Sequence, residues 1–408
     1  MERDKRFTKG LATGILVTAI VFSIIFSVKI ATLDSVNSNS GQSGKNTELS
    51  GDSNVSDKVS IISSLIDQYS LNEADKDKMI QGIYKGVVSG LEDPYSVYYT
   101  EEEYDSMMES TSGVYTGIGV LISQDKETGV ISVVKPFANG PGYEAGLLPG
   151  DILYSVEGKE VTGVDSSKVV SWIKGKEGTK VKIQVIREGE DDYLDFAVER
   201  RKVEVPTVEH KMMDNKVGYI AVSEFDQVTS DQFKDAVDEL IADGMKGLVI
   251  DLRGNPGGIY DVVVEMLDYI LPKGLVVYTE DKNGDGDKQY SDNEHQLKIP
   301  YSVIINGSSA SASEIFAGAV KDYGFGKVVG TTSYGKGVVQ RIFPLNDGSA
   351  VKLTISKYFT PSGYDIDENG GIKPDVEVEL PDKVKNSVVI DEKDDTQLQK
   401  AIEVLGLE

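Results

Sequence analysis

Gly247-Leu-Val-Ile-Asp-Leu-Arg-Gly-Asn-Pro-Gly-Gly258 is the stretch that decides the architecture. It opens with a continuous apolar run of strand length, breaks at a glycine-rich turn, and leads into a helical pattern from Ile259 to Ile270. An apolar run without alternation marks a strand covered on both faces, as in a parallel sheet flanked by helices. Working outward, Val217-Gly-Tyr-Ile-Ala-Val222 reads as a strand, and Ser230 to Ala242 as a helix with Phe233, Val237, Leu240 and Ile241 on its apolar side. Downstream come a second buried strand, Tyr301-Ser-Val-Ile-Ile305, a helix from Ser311 to Tyr323, and the strand Lys327-Val-Val-Gly330. This alternation defines a layered α/β domain. The polar, acidic stretch 280–298 reads as a surface loop or short hairpin.

Before Pro206 the character differs. From Gly113, short β-like runs are punctuated by glycine: Gly119-Val-Leu-Ile122, Val130-Ile-Ser-Val-Val134, Asp151-Ile-Leu-Tyr-Ser-Val156 and Lys180-Val-Lys-Ile-Gln-Val-Ile-Arg187, with a helix expected from Ser166 to Lys174. These make a compact, partly open barrel. Further upstream, two amphipathic helices are expected. The first is capped by Asp57 and carries Val59, Ile62, Ile66 and Tyr69; the second carries Met79, Ile83, Val87 and Leu91 and stops at Asp93-Pro94. Such faces pack on their own domain or on a second subunit.

Gly10 to Val28 carries no charge and follows Arg3, Lys5, Arg6 and Lys9. As a helix it rises roughly 28 Å, about one bilayer core, and the basic flank places the remainder of the chain outside. A cleaved signal peptide is the rival reading, but its apolar core is usually shorter and no small-x-small site is evident. The expectation is a single-pass cell-membrane protein with an extracytoplasmic catalytic region. The expected segments are a tail and anchor over 1–33, a flexible linker over 34–56, and a helical region over 57–110. They continue as the barrel over 111–203, the α/β domain over 204–380, and a C-terminal tail and helix over 381–408.

The formal net charge of −25 argues against nucleic acid as a partner. The absence of cysteine excludes disulfides, thiolate metal sites and cysteine nucleophiles. The two histidines, His210 and His295, sit in exposed-looking polar contexts, so a hydrolase here needs another base.

Four segments carry chemistry. Gly307-Ser-Ser-Ala-Ser-Ala-Ser-Glu-Ile-Phe316 follows a buried strand and opens a helix, where free N–H groups face a developing oxyanion. Ser311-Ala-Ser-Glu314 also matches a capping box, a purely structural reading. Spacing does not choose among Ser308, Ser309, Ser311 and Ser313. Gly330-Thr-Thr-Ser-Tyr-Gly-Lys-Gly337 has the outline of a P-loop, but glycine replaces the magnesium-binding hydroxyl and β-structure follows instead of a helix. Its bland reading is an exposed lysine on a turn. Its functional reading is a lysine crowded by backbone between glycines and kept from water. A lysine acts as a base only when neutral, and lowering its value from about 10.4 to about 7 costs roughly 4–5 kcal/mol, which burial can supply. The turn 251–258 lets backbone approach a ligand, and the loop Tyr115-Thr-Gly-Ile-Gly-Val120 exposes N–H groups suited to a carboxylate.

Together and in this order, these segments resemble the carboxyl-terminal processing proteases, S41-type serine–lysine peptidases with an inserted PDZ domain. Leu91-Glu-Asp-Pro-Tyr-Ser96, Gly146-Leu-Leu-Pro-Gly-Asp-Ile-Leu153, Tyr334-Gly-Lys-Gly-Val-Val-Gln340 and Leu353-Thr-Ile-Ser-Lys-Tyr-Phe-Thr-Pro-Ser-Gly363 add to the likeness. The resemblance implies an α/β crotonase-like core, an inserted PDZ domain and an N-terminal helical segment that often dimerises. It implies Ser311 as nucleophile, Lys336 as general base and Gln340 as the residue orienting the lysine. Ala312 with Gly257 or Gly258 would form the oxyanion hole, and Gly117, Ile118, Gly119 and Val120 the site for a substrate C-terminus, expected to be apolar. Lys174 stands where the family often has a coupling arginine, and lacks its bidentate fork. The chemistry needs no metal and no organic cofactor. The rival reading is a non-catalytic, membrane-tethered PDZ adaptor.

Overall fold

The computed structural model describes residues 53–292, 294–385 and 390–407. Their Cα positions group into two compact units, 103–341 with 354–407 and 53–102 with 342–353.

In the larger unit a six-stranded sheet runs in the order Val208–Met212, Val217–Val222, Gly247–Asp251, Tyr301–Ile305, Gly326–Gly330, Val376–Glu377. The first pair is antiparallel and the rest are parallel. Every residue of Gly247–Asp251 and of Tyr301–Ile305 is buried, as expected of largely apolar strands covered on both faces. Alternation along the strands sorts their side chains to two cores. Ile220, Leu248, Ile250, Val303 and Val328 pack under the helices Thr229–Ala242, Tyr260–Ile270 and Ala312–Tyr323. Val217, Val249, Ile304 and Val329 pack against Leu398, Ala401 and Leu405 around the helix Thr396–Glu403. All three turns that carry the candidate chemistry of this domain leave the C-terminal ends of parallel strands, where open α/β sheets bind ligands. The stretch 280–298 begins within a hairpin, Gly274–Asp281 with Lys288–Ser291.

The same unit contains the barrel. Its strands Val120–Gln124, Ile131–Pro136, Ile152–Val156, Lys180–Ile186 and Leu194–Glu199 pair in chain order. Ile131, Val133, Leu153, Val169, Val181, Ile183 and Val198 form its core. The expected helix over 166–174 is Ser166–Ile173, with Lys174 as its C-cap. Arg200 satisfies the last carbonyls of that helix, donating to Ile173 O at 2.7 Å and to Trp172 O at 3.0 Å.

The smaller unit holds the helices Ser53–Tyr69 and Lys76–Ser89 and the strand Val97–Tyr99, which pairs with 350–352. The first helix starts at Ser53, so 53–56 belong to it rather than to a linker, and Asp57 lies inside it rather than capping it. The second is capped by Asp75, whose carboxylate accepts from the N–H groups of Asp77 and Lys78. The helix Glu101–Ser112 was not foreseen, because its charged first half shows no apolar period.

The expected anchor, Gly10 to Val28, lies outside the described residues. Among the described residues no helix is long and apolar enough to cross a membrane. A span needs about 20 apolar residues, whereas Ser53–Tyr69 has 17, among them Asp57, Lys58 and Asp67. The assignment to the cell membrane with an extracytoplasmic catalytic region is therefore withdrawn.

Candidate active site

Ser311 is the N-cap of the helix Ala312–Tyr323, at the end of the turn that follows the strand Tyr301–Ile305, and its backbone takes φ 55° and ψ −110°. A positive φ in a residue with a side chain costs about 1–3 kcal/mol and is held only where surrounding contacts dictate it. Those contacts are visible. Ala310 N–H donates to Asn255 O at 3.0 Å, and Glu314 N–H and Ile315 N–H donate to Ser311 O at 2.7 and 2.9 Å. Ser311 N–H donates to Glu314 Oε2 at 2.7 Å, the glutamate half of the expected capping box.

The other serines are accounted for differently. Ser309 Oγ donates to Leu252 O at 2.8 Å, and Ser313 Oγ donates to Asn255 O at 3.0 Å. Both hydroxyls tie the helix start to the 251–258 turn. Ser308 is exposed. Ser311, two residues from both Ser309 and Ser313, is 3% exposed.

Glu314 organises the site. Its carboxylate is fully buried and accepts four hydrogen bonds: Ser311 N–H and Lys336 N–H (2.8 Å) on Oε2, and Ser333 Oγ–H (2.6 Å) and Gly335 N–H (2.7 Å) on Oε1. Burial raises its pKa, opposed by the Ser333 hydroxyl and by the backbone donors of Ser311, Gly335 and Lys336. Four donors around one carboxylate suit the anion, because a protonated acid would face donor against donor. Through one oxygen, the Ser311 turn and the Lys336 turn are held together.

Lys336 is 3% exposed. The crowding expected from its flanking glycines is present. A Cβ on Gly335 would lie 2.9 Å from Gly370 C, and one on Gly337 would lie 2.6 Å from Asp367 N. The segment 365–371 therefore packs against the lysine turn as backbone on backbone. From the other side Tyr358 N–H donates to Gly337 O at 3.0 Å, and the Tyr358 hydroxyl donates to Lys336 O. No helix follows, since Val338–Pro344 is a strand. Gln340 on that strand is fully buried. Its Nε2 is 3.4 Å from both Val338 O and Thr354 Oγ1, and its Oε1 is a buried acceptor lacking a hydrogen-bond partner among the described residues.

Gly257 and Gly258 take φ 106° and 153°. A Cβ on Gly257 would meet Ala310 O at 2.8 Å, Ser311 Cβ at 3.0 Å and Ala312 N at 3.1 Å, so the bare α-carbon keeps the space beside the serine open. Its N–H is donated to Asn255 Oδ1 at 2.8 Å. Gly258 instead packs on the Phe225 backbone, where a Cβ would come within 2.3 Å of Phe225 O. Ala312 is the first residue of the helix, at its positive end. Arg253 ties the turn to the C-terminal helix, with its guanidinium 2.5 Å from Asp251 and 2.8 Å from Asp395.

In the barrel, Gly119 adopts φ 66°, and the loop carbonyls are held from behind: Gly142 N–H donates to Ile118 O at 2.6 Å and Phe137 N–H to Gly119 O at 2.9 Å. Ile118 fills the barrel core and Val120 starts a strand. Lys174 Nζ forms a 2.5 Å ion pair with Glu109. Both histidines are exposed and occupied elsewhere, His210 with Glu239 at 3.0 Å and His295 stacked on Tyr269. Asn255, Tyr358, Arg253 and the organising role of Glu314 were missed in the sequence. Only Glu314 had a signal, its three-residue offset from Ser311.

A parallel α/β layer that buries a serine and a lysine at its strand ends, in a chain that also carries a small β-barrel, fits a serine peptidase with a PDZ domain. Known proteins agree. Residues 216–378 match peptidase family S41, 130–187 match the PDZ domain, and 16–103 match the N-terminal domain of the activating protease CtpB. Carboxy-terminal processing protease CtpA of Bacillus subtilis is 36% identical over 91% of this chain and 77% of its own length. CtpB of the same organism is 38% identical over 80% and 68%. The solved S41 protease of Bacteroides fragilis shares the fold at 18% identity, with a TM-score of 0.54 over 83% of this chain and 92% of that one. The chain belongs to the carboxy-terminal processing proteases of peptidase family S41.

Proposed function

We propose that this peptidase cleaves through a Ser311–Lys336 dyad and selects substrates by a free C-terminus held in the Gly117–Val120 loop. Ser311 Oγ attacks the substrate carbonyl carbon while the neutral Lys336 amine takes its proton. The resulting oxyanion faces the Ala312 N–H at the helix start, in the room left by Gly257. Collapse expels the amine product, which receives the proton from Lys336, and water resolves the acyl-enzyme. Gln340 Oε1, an acceptor in need of a donor, suits the task of orienting the lysine amine. The loop N–H groups of the barrel take the substrate carboxylate, and Lys174, the C-cap of the module's helix, is the candidate to sense it.

The observation that carries this reading is the buried Glu314 carboxylate, one oxygen of which accepts from the backbones of both Ser311 and Lys336. The decisive experiment is Ser311→Ala assayed on an unstructured peptide with an apolar C-terminus. Cleavage should disappear; undiminished cleavage removes Ser311 from the mechanism.

The helix Ser53–Tyr69 exposes Ile61, Ile62, Leu65 and Tyr69, and Leu71 beyond it is fully exposed. A second copy of the chain is the occupant we assign to this face. Leu65→Asp should turn a dimer into a monomer in sedimentation; an unchanged sedimentation coefficient discards the assignment.

A further inference from the structure

A later stretch of backbone lies along the lysine turn from end to end. Ser333 N–H donates to Ile372 O at 3.1 Å, and Ile372 N–H donates to Ser333 Oγ at 2.6 Å. Beyond that pair the approach leaves no room for side chains. A Cβ on Gly371 would sit 2.6 Å from Ser333 O, one on Gly335 2.9 Å from Gly370 C, and one on Gly337 2.6 Å from Asp367 N. Lys336, inside this contact, is 3% exposed. The covering turn is gathered at Asp365. Asp365 Oδ1 accepts the Glu368 N–H at 2.9 Å, and Asp365 O accepts from Asn369 N–H at 3.2 Å and Asn369 Nδ2 at 2.6 Å. Its Oδ2 lies 3.1 Å from Lys357 Nζ, which is also 3.9 Å from Asp367. The Tyr364 hydroxyl donates to Gly371 O at 3.0 Å, and Ile366, fully buried, anchors the turn in the core. On the other elements packed here, Glu314 accepts the Lys336 N–H, the Tyr358 hydroxyl donates to Lys336 O, and half-buried Arg341 lies on the following strand.

We propose that the turn 365–371 keeps Lys336 fit to act as a base by holding water off its amine, and that Asp365, which caps the turn, is the positioning residue. The lysine turn cannot do this alone, because glycines flank Lys336 on both sides. Desolvation penalises the ammonium form. A gap in the cover lets the amine return toward its ordinary value of about 10.4. Asp365 acts in two opposed ways. As an anion it favours the charged form of a nearby lysine; as a cap it disfavours that form by keeping the turn closed. The tight backbone packing marks the cap as the larger of the two, and this fixes the sign of the effect when Asp365 is replaced.

This rests on the reading of Lys336 as the base, and the test separates the two. In the full chain, kcat/KM is followed from about pH 6 to about pH 10 for the wild type, Asp365→Ala and Asp365→Asn. Both variants remove the charge and the Lys357 pair, but asparagine keeps an oxygen for the Glu368 N–H. With alanine the rising limb should move up by about one pH unit. Cleavage then falls about 10-fold at neutral pH and recovers at the alkaline plateau, where the lysine is neutral with or without its cover. With asparagine the limb should stay in place or move slightly down, as the loss of an anion alone dictates. Tyr364→Phe, which removes only the hydroxyl on Gly371 O, is the milder breach and should move the limb up by less. A rate lowered equally at every pH in the alanine and phenylalanine variants is general damage and refutes the proposal. In parallel, trace acetic anhydride at alkaline pH, read by peptide mass spectrometry, reports the reactivity of the Lys336 amine itself, which should rise in Asp365→Ala. If reactivity does not rise, the turn is not the cover and the base assignment stands. If reactivity rises while the limb stays put, Lys336 is not the base and the inference falls with that reading.

Discussion

Replacing Glu314 by glutamine swaps one carboxylate oxygen for an amide nitrogen and changes almost nothing else. In the native site all four groups facing the carboxylate are donors. Glutamine keeps one accepting oxygen, so one pair of donors is left pointing at an NH2 group whichever way the amide turns. Two hydrogen bonds to a charged group are worth about 1.5–3 kcal/mol each. Part of that loss is returned, because a neutral amide no longer bears the desolvation that raises the Glu314 pKa. A net destabilisation of about 2–4 kcal/mol follows, a fall in Tm of roughly 5–15 °C for a domain of this size. Activity should suffer more than stability. If the amide oxygen keeps Ser311 and Lys336, the Ser333 and Gly335 anchors of the lysine turn are lost; if it keeps those, the Ser311 and Lys336 amides separate. A displacement of about 1 Å can cost 100-fold in rate. The assay is kcat and KM on a fluorogenic peptide with a free C-terminus, together with a thermal melt. Wild-type kcat and a Tm within about a degree of wild type would refute the claim that this carboxylate joins the two turns.

Three further outcomes are expected. Gly257→Ala places a Cβ 3.0 Å from Ser311 Cβ at a φ of 106°, so kcat should drop about 100-fold or more with KM little changed; an active variant would show the space beside the serine to be unused. Lys336→Met should abolish cleavage without lowering Tm, since an apolar side chain fills a buried site at no desolvation cost; Lys336→Arg should be equally inactive, because arginine does not become neutral. Asp226 is pushed up to about 8, first by burial and then by the charge of Glu224. The folded chain thus keeps a proton that the unfolded chain releases near its ordinary value of 3.8. That contribution to stability is complete below about 4 and is lost as pH rises toward 8. Melts of the wild type should fall by several degrees between pH 5 and 9, and those of Asp226→Asn by clearly less; parallel curves would contradict it.

Much of the architecture could be read from the chain because apolar runs and helical periods report burial directly. Gly247–Asp251 holds no polar residue until its end, and Tyr301–Ile305 only Ser302, so both read as strands covered on both faces. The lysine between two glycines was legible as a crowded turn, though what crowds it, the segment 365–371, was not. The first helix start slipped at Asp57, because the serine and asparagine of 53–56 read as linker composition although they form its first turn. The apolar run at the N-terminus invited a membrane, and length and hydropathy alone were asked to carry a location that no described helix supports.

What the sequence determined by itself was the order of strands and helices, the poverty of histidine, and the presence of serines at a helix start and of a lysine between two glycines. Those follow from local periodicity and from which side chains exist. Which serines tie the helix start to the 251–258 turn, which glycine packs beside Ser311, and how the Lys336 turn is joined to the Ser311 turn were decided only in three dimensions. Each depends on a hydrogen-bond partner far along the chain: Leu252 and Asn255 engage Ser309 and Ser313, and Glu314 gathers Ser311 with Lys336. A buried polar group must find its partner wherever folding brings one, and spacing along the chain does not record that meeting.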